Sequence, residues 1–494
     1  MTSFAPRSRL ARSVAVLIVM VVPVLGIVLA RTIAVSKAEP TTPLTYRVPA
    51  IDASAAAARA SAALQFATIS SEDGSDHTPA LESFRAWLMT TYPRFHAIAT
   101  RTVVGNGTLV YEWSGTDTSL QPIVLMAHQD VVPVSQPELW RYPPFSGAIC
   151  EGFIWGRGAL DDKTSLIAIL EAAESLVAAD YAPERGVIFV FGHDEESGGA
   201  GARAAAEWLA SRAIKAEFVL DEGGLSLTSN PVTGGPATLI GVAEKGNVTL
   251  QLEVHATGGH SNAPGTRTAV DTLSQAIVAI RNSPFPADYA GVTRAMLEAL
   301  APHAPLMTRM AIANTWLFEP MLVHQLVASP QAAATLQTTI APTMLQGSNK
   351  QNVLPSIAKA TINLRILPGE SIESVIAHVR DALGDLPVTV TRVGPSAEPS
   401  PIASTQSNGY RLVAGLAAAT FDAPVAPLLV IGITDSRHMV VLSDDIYRYS
   451  PFLLGPEDIA TAHGRDERIS IENFGRMLRF YQQVLVGGSA NELP

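Results

Sequence analysis

Between residues 100 and 230 the chain carries short runs that are apolar at every position: Ile123 to Ala127, Val187 to Phe191 and Phe218 to Leu220. Runs of this kind fit strands buried on both faces of a sheet. Between the first two, Leu166, Ile167, Ile169, Leu170, Ala173 and Val177 recur at helical spacing, so strand, helix and strand predict an α/β sheet with crossover connections. From about Asn247 the pattern becomes strict alternation: Val248, Leu250, Leu252 and Val254 are apolar, with Thr249, Gln251 and Glu253 between them. The same alternation returns at Ala360, Ile362, Leu364 and Ile366, with Thr361, Asn363 and Arg365 on the opposite face. Strands with one wet face predict a smaller antiparallel sheet, inserted into the first domain. Helical patterns around Thr293 to Leu300 and Pro330 to Leu345 enlarge the insert. A Pro- and Ser-rich stretch near Pro395 to Pro401, followed by the apolar run Leu428 to Ile431, marks the return to the first domain. The alanine-rich stretch Ala50 to Ala63 is a good helix former and predicts the first helix of that domain. The expected division is an N-terminal segment over 1–31, a linker over 32–49, a catalytic-type domain over 50–246 and 395–494, and the insert over 247–394.

The N-terminal segment has an uncharged run from Ser13 to Ala30 behind Arg7, Arg9 and Arg12. Eighteen helical residues at about 1.5 Å each reach roughly 27 Å, close to a bilayer core. The reading favoured is an uncleaved membrane anchor, with the arginines in the cytoplasm and the remainder outside it. The alternative is a signal segment cleaved near Val28 to Ala30, which would release a secreted protein. The Thr- and Pro-rich stretch from Thr32 to Pro49 reads as the linker.

Composition narrows the chemistry. The chain has 494 residues, 47% of them apolar, which is enough for two domains. Lys and Arg total 34 against 45 Asp and Glu, a net charge of -11 that argues against a nucleic-acid surface. Cys150 is the only cysteine, so no internal disulfide forms and a cysteine-rich zinc site is excluded. Any metal must be held by histidine and carboxylates.

Each both-face apolar run ends in residues of that type. The first enters Ala127-His128-Gln129-Asp130, the second His193-Asp194-Glu195-Glu196, the third Asp221-Glu222-Gly223. Ligands of open α/β sheets bind beyond the carboxyl ends of the strands. A fourth segment, Gly156 to Lys163, carries Asp161 and Asp162 in a Gly-rich loop before the predicted helix, and a fifth, His463-Gly464, lies near the C-terminus. Carboxylates gathered at one mouth repel unless cations neutralise them. The set suits two zinc ions, and such ligands also accept cobalt or manganese.

These segments resemble the zinc metallopeptidase family that includes aminoacylase, carboxypeptidase S, succinyl-diaminopimelate desuccinylase and glutamate carboxypeptidase. The resemblance covers about Leu64 to the C-terminus and rests on AHQDVVP, GRGALDDK, HDEE, LDEGG, GGHSNAP, QNVLP, NLRILP, TDSRH and AHGRDE, in the family's order. The branch it is most similar to is the carboxypeptidase S-like group, which also contains enzymes acting on N-acyl amino acids. The resemblance implies a di-zinc exopeptidase fold with His128, Asp161, Glu196, Asp221 and His463 as metal ligands, Asp161 bridging. It implies a cis peptide between Asp161 and Asp162, Asp130 as the acid orienting a ligand imidazole, and Glu195 as general base. On the insert it nominates His260 as oxyanion donor and Asn352 and Arg365 as substrate contacts, with Arg437 a further contact. Arg365 also has a physical case, since a guanidinium on the wet face of its strand suits a substrate carboxylate. Asp466 and Asn262 depart from the family's usual residues after the last histidine and after His260-Ser261. The expected function is a metal-dependent, carboxypeptidase-like hydrolase cleaving an amide or peptide bond next to a free carboxylate in a small molecule or short peptide. Alternatives are an N-acyl amino acid hydrolase or synthase and a non-catalytic surface binding protein of the same fold. A homodimer is left open.

Overall fold

The computed structural model describes residues 7–37, 41–71 and 79–494, with side chains from residue 20 onward. The three apolar runs form parallel neighbours. Ile123–His128 lies between Val187–Gly192 and Val219–Asp221, and all fifteen residues are buried. They sit centrally in a ten-stranded mixed sheet whose antiparallel members include Thr100–Val104 and Thr108–Trp113 at one side. Val425–Val430 returns to this sheet by pairing in parallel with Ala237–Glu244, as its apolar run predicts. The helix Lys163–Ala178 covers one face together with Ala53–Leu64 and Ile471–Gly488. Ala53–Leu64 starts where Asp52 caps two amides with its carboxylate.

The alternating segments form the second sheet. Gly246–His255 pairs antiparallel with Ile357–Ile366 and with Thr389–Ala397, and Thr339–Gln346 forms the far edge. Val248, Leu250, Leu252, Ile362, Leu364 and Ile366 pack beneath the helices Ala269–Arg281 and Ile372–Leu383. Asn247, Thr249, Asn363 and Arg365 occupy the opposite face, with Asn247 paired to Arg365 in the register. The helix Gly291–Leu300 forms as expected and packs through Leu300 on Leu239 and Ala426 of the large sheet. Residues 330–345 differ from expectation: a short helix covers Pro330–Ala334 and the rest belongs to the edge strand from Thr339. Three alanines among Gln331 to Thr335 imitate a longer helix, and sheet pairing overrides the local preference.

The N-terminal expectation is corrected. A helix spans Arg7–Ser36, with Pro23 inside it. Its last turns are docked on the insert: the Asn314 amide donates to Val28 O (3.2 Å) and Thr32 Oγ1 (3.3 Å), and Arg31 Nε donates to Ala313 O (3.0 Å). Among the described residues no helix is long and apolar enough to cross a membrane, which overturns the anchor placed at Ser13 to Ala30 and the tethered location drawn from it. The side chains up to residue 19, including Arg7, Arg9 and Arg12, lie outside the described residues.

Candidate metal centre

Parallel pairing brings the carboxyl ends of the three central strands to one edge of the sheet, and the chain delivers its acids there. His128 is the last residue of its strand and is buried. The second strand ends at Gly192 and leads through His193 and Asp194 into the single turn Glu195–Ser197. The loop before Lys163–Ala178 brings in Asp161, joined to Asp162 by a cis peptide. His463 follows the short helix Pro456–Ile459 with a positive φ of 55°.

Asp161 stands at the centre. Its Oδ1 lies 2.8 Å from His128 Nε2 and its Oδ2 lies 2.8 Å from His463 Nε2, so each carboxylate oxygen faces one imidazole. Glu196 Oε1 lies 3.2 Å from the same His463 nitrogen. Two ligand groups share Asp161: His128, Asp161 and Glu222 form one, and Asp161, Glu196 and His463 the other. Glu195 sits with His128 and Glu196 in a third overlapping group. Asp221, given a ligand position from the sequence, is outside all three. It is still within its strand, and its Oδ2 accepts the Ser436 N–H at 2.8 Å. Glu222, the first residue past the strand, stands in the group with His128 and Asp161.

The acids of each group lie within 4.8 Å of one another, where two ionised carboxylates repel by roughly 3–4 kcal/mol at an effective dielectric of about 20. The protein alone answers with protons. Burial pushes the Glu195 and Glu222 carboxyls well above the usual range, and neighbouring acids add to it. Burial acts the same way on Asp161, but hydrogen bonds from His128 and His463 outweigh it and hold that carboxyl low. Hydrogen bonds to Asp161 and Glu196 push His463 up to about 10. Burial opposes charge on His128, yet hydrogen bonds to Asp130 and Asp161 raise it well above the ordinary histidine value. Protonated imidazoles thus do here what divalent cations do better: a cation replaces the protons and takes up the carboxylate oxygens that Asp161 and Glu196 turn toward His463. The residues present fit metal.

Behind the ligands, two supports hold the geometry. Asp130 is fully buried; its Oδ1 lies 3.3 Å from His128 Nδ1, and its two oxygens accept the N–H groups of Glu195 (3.2 Å) and Glu196 (3.1 Å). One carboxylate therefore orients both a ligand imidazole and the turn bearing the two glutamates. The second support has no counterpart in the roles expected from the sequence. Glu467 Oε1 accepts the N–H groups of Gly158 (3.1 Å), Leu160 (2.8 Å) and Asp161 (3.2 Å), while Oε2 pairs with Arg157 Nη1 at 2.5 Å. Arg157 Nη2 donates to the carbonyls of His463 (3.2 Å) and Gly464 (3.0 Å), so the pair ties the Asp161 loop to the His463 loop.

The acids open into a cavity of about 1070 Å³. Asp161, Glu195, Glu196, Glu222 and His463 form one end, and Arg203, Arg365 and Arg437 supply cations to the same cavity. Leu428, Leu429, Val430, Ile431 and Ile433 make an apolar wall. His260 and Asn352 are not brought to this cavity. They lie on an exposed two-stranded ribbon, Gly259–His260 paired with Val353–Leu354, where Ser261 N–H donates to Asn352 O at 3.1 Å.

The family model for peptidase family M20/M25/M40 matches residues 124–486. The chain belongs to this family. It is a metal-dependent hydrolase of peptide or amide bonds, and the large sheet with its inserted antiparallel sheet is the family's fold. The chain is 37% identical over 438 residues to probable carboxypeptidase S-like 2 of Dictyostelium discoideum, covering 87% of this chain and 84% of that one. It is 34% identical over 440 residues to the N-fatty-acyl-amino acid synthase/hydrolase PM20D1 of Homo sapiens, covering 87% of each. Among solved structures, the M20 family metallo-carboxypeptidase Sso-CP2 from Sulfolobus solfataricus superposes with a TM-score of 0.66 at 18% identity, over 87% of this chain and 98% of that one. Human carnosine dipeptidase 1 gives 0.62 at 15% identity, over 89% and 99%. At those identities the structural likeness speaks for the fold.

Proposed function

We propose that the protein hydrolyses an amide bond whose nitrogen belongs to an amino acid with a free carboxylate. The observation that carries this reading is the polarity of the cavity, in which an acidic, metal-binding group and the guanidinium groups of Arg365 and Arg437 share one wall-lined space. Two divalent ions, read as zinc, would be held by His128, Asp161, Glu222, Glu196 and His463; when bound, they would supply Lewis acidity to the scissile carbonyl and acidify a water.

The chain's own residues do the rest. Glu195, at the cavity wall, accepts the proton of the attacking water and passes it to the leaving nitrogen. Asp130 keeps Glu195 and Glu196 apart in role by fixing the turn between them. Arg365 binds the substrate carboxylate and so sets which amide reaches the centre. The oxyanion role expected of His260 forms no part of this reading, because His260 is exposed and is not among the residues lining the cavity.

The apolar wall favours an apolar acyl half, and Ile431 at 44% exposure is available to a ligand. An N-acyl amino acid meets this requirement as well as a peptide with an apolar penultimate residue does, and relatives carrying both kinds of name align over most of the chain. Each buried methylene contributes about 0.8 kcal/mol, so kcat/KM rising with acyl-chain length supports the N-acyl reading, and a rate set by peptide sequence supports the carboxypeptidase reading. The deciding experiment assays metal-loaded protein on dipeptides and N-acyl amino acids, each beside its C-terminal carboxamide. Preference for the free acids is expected; equal rates on acid and carboxamide sink the proposal.

A further inference from the structure

His438 has no role in the chemistry above, yet it lines the same cavity as the metal-binding acids. It follows Arg437 in the 3₁₀ segment Asp435–Val441, which is firmly seated. Thr434, just before it, gives its N–H (3.0 Å) and its hydroxyl (2.6 Å) to the buried Glu244, and Ser436 gives its N–H to Asp221 at 2.8 Å. On this base the Arg437 side chain makes two hydrogen bonds: Nη2 donates to Gly198 O (2.9 Å), and Nε donates to His438 Nε2 (3.2 Å). An imidazole nitrogen accepts such a bond only when it carries no proton, which fixes the His438 hydrogen on Nδ1. Burial, with Arg437 and Arg203 beside it, lowers His438 to about 3, so the acceptor form persists across working pH. Gly199 leaves the room this packing needs, since a Cβ there would lie 2.3 Å from Asp435 Oδ1 and 3.4 Å from His438 Nε2.

Both partners of Arg437 are uncharged, so its positive charge is oriented but not neutralised. Arg365, from the inserted sheet, faces the same space. Burial and then the nearby Arg437 charge both disfavour its protonated form. Two half-buried guanidinium groups, one from the inserted sheet and one from the 3₁₀ segment, repel each other across a cavity that ends in a metal-binding group. An anion between them relieves that repulsion.

We propose that His438 is a positioning residue that aims Arg437, as a neutral acceptor, so that Arg437 and Arg365 close on the substrate carboxylate from opposite sides. The inference rests on the carboxylate reading given under the proposed function and adds the residue that makes the second arm rigid. An arginine loses rotamer freedom when it binds, and holding its Nε in advance removes part of that cost.

The test uses the metal-loaded full chain with one N-acyl amino acid and its carboxamide. His438→Met keeps bulk and removes the acceptor; His438→Gln restores an acceptor oxygen near the Nε2 position. For His438→Met, KM for the acid is expected to rise about tenfold more than KM for the carboxamide, with kcat for the acid changed less than threefold. His438→Gln should recover most of that loss, and in an Arg437→Gln background His438→Met should add nothing further. Metal content equal to the parent protein shows that each variant is folded. Should His438→Met not fold, Arg437→Gln and His438→Gln carry the same acid-against-carboxamide comparison. Equal losses on acid and carboxamide, no rescue by glutamine, or additive losses with Arg437→Gln overturn the inference. Parent protein that prefers the acid while His438→Met behaves like it sinks only the positioning role. Parent protein indifferent to the carboxylate sinks the underlying reading as well.

Discussion

Replacing Glu467 by Gln should damage the metal centre from a distance, through the Asp161 and His463 loops. Glu467 is fully buried and Arg157 is 2% exposed, so neither charge has water to fall back on. One oxygen serves three backbone N–H groups and the other serves the guanidinium. A glutamine has a single acceptor oxygen. Whichever way its amide turns, the NH₂ end meets donors only: the three amides in one orientation, Arg157 in the other. Breaking one side of a buried ion pair costs about 3–5 kcal/mol. The assay is urea denaturation of metal-free protein, so that metal binding does not mask the loss. Tryptophan fluorescence reports the region directly, because the Arg157 guanidinium lies 5.2 Å from the Trp140 ring. The account expects a midpoint shift worth about 3–5 kcal/mol and weaker metal retention. A shift worth less than about 1 kcal/mol with metal held as in the parent would refute the claim that this pair sets the two loops.

Other variants separate ligands from bystanders. Glu222→Ala should lose metal on dialysis whereas Asp221→Asn should keep it, as elemental analysis will show; the reverse pattern restores Asp221 to the ligand set. Metal binding at pH 7 should release protons, because His463 sits at about 10 and His128 is raised in the metal-free protein, while ligation needs both neutral. Affinity therefore falls as pH falls, through neutrality. Calorimetry in buffers of different ionisation enthalpy measures the release, and enthalpies independent of buffer contradict it. Arg365→Ala should cost about ten- to a hundredfold in kcat/KM on a free acid and little on its carboxamide, while equal losses assign Arg365 to the fold.

The strands that build the site were legible because burial on both faces leaves an unbroken apolar run, and a run's end is where a ligand can stand. Its last residue was not legible to within one position. Asp221 and Glu222 are both acids, and successive residues at a strand end face opposite sides, so the sequence alone does not choose which of the two joins His128 and Asp161, as Glu222 does in the fold. At Glu195-Glu196 the same uncertainty was harmless, since one neighbour on each side was required. The alternation at 246–255 and 357–366 correctly marked a half-covered sheet, with Arg365 on its polar face. Contacts between distant segments left no local trace. Arg157 and Glu467 are 310 residues apart, and each reads in isolation as an ordinary charge in a loop. The docking of Val28 and Thr32 on Asn314 is of the same kind, and it overrides the reading of the N-terminal helix from its apolar run alone. His260 and Asn352 lie at a two-stranded ribbon formed by segments far apart in the sequence, and neither is among the residues that line the cavity.

The central claim is that Glu195 handles the proton beside a metal-holding group and binds no metal itself. It is tested by preparing Glu195→Gln, loading it with zinc, and measuring metal content and turnover on the best substrate of the panel. The account predicts metal content equal to the parent, with kcat lower by at least about a hundredfold. A variant that loses metal, or one that keeps near-parent turnover, contradicts it.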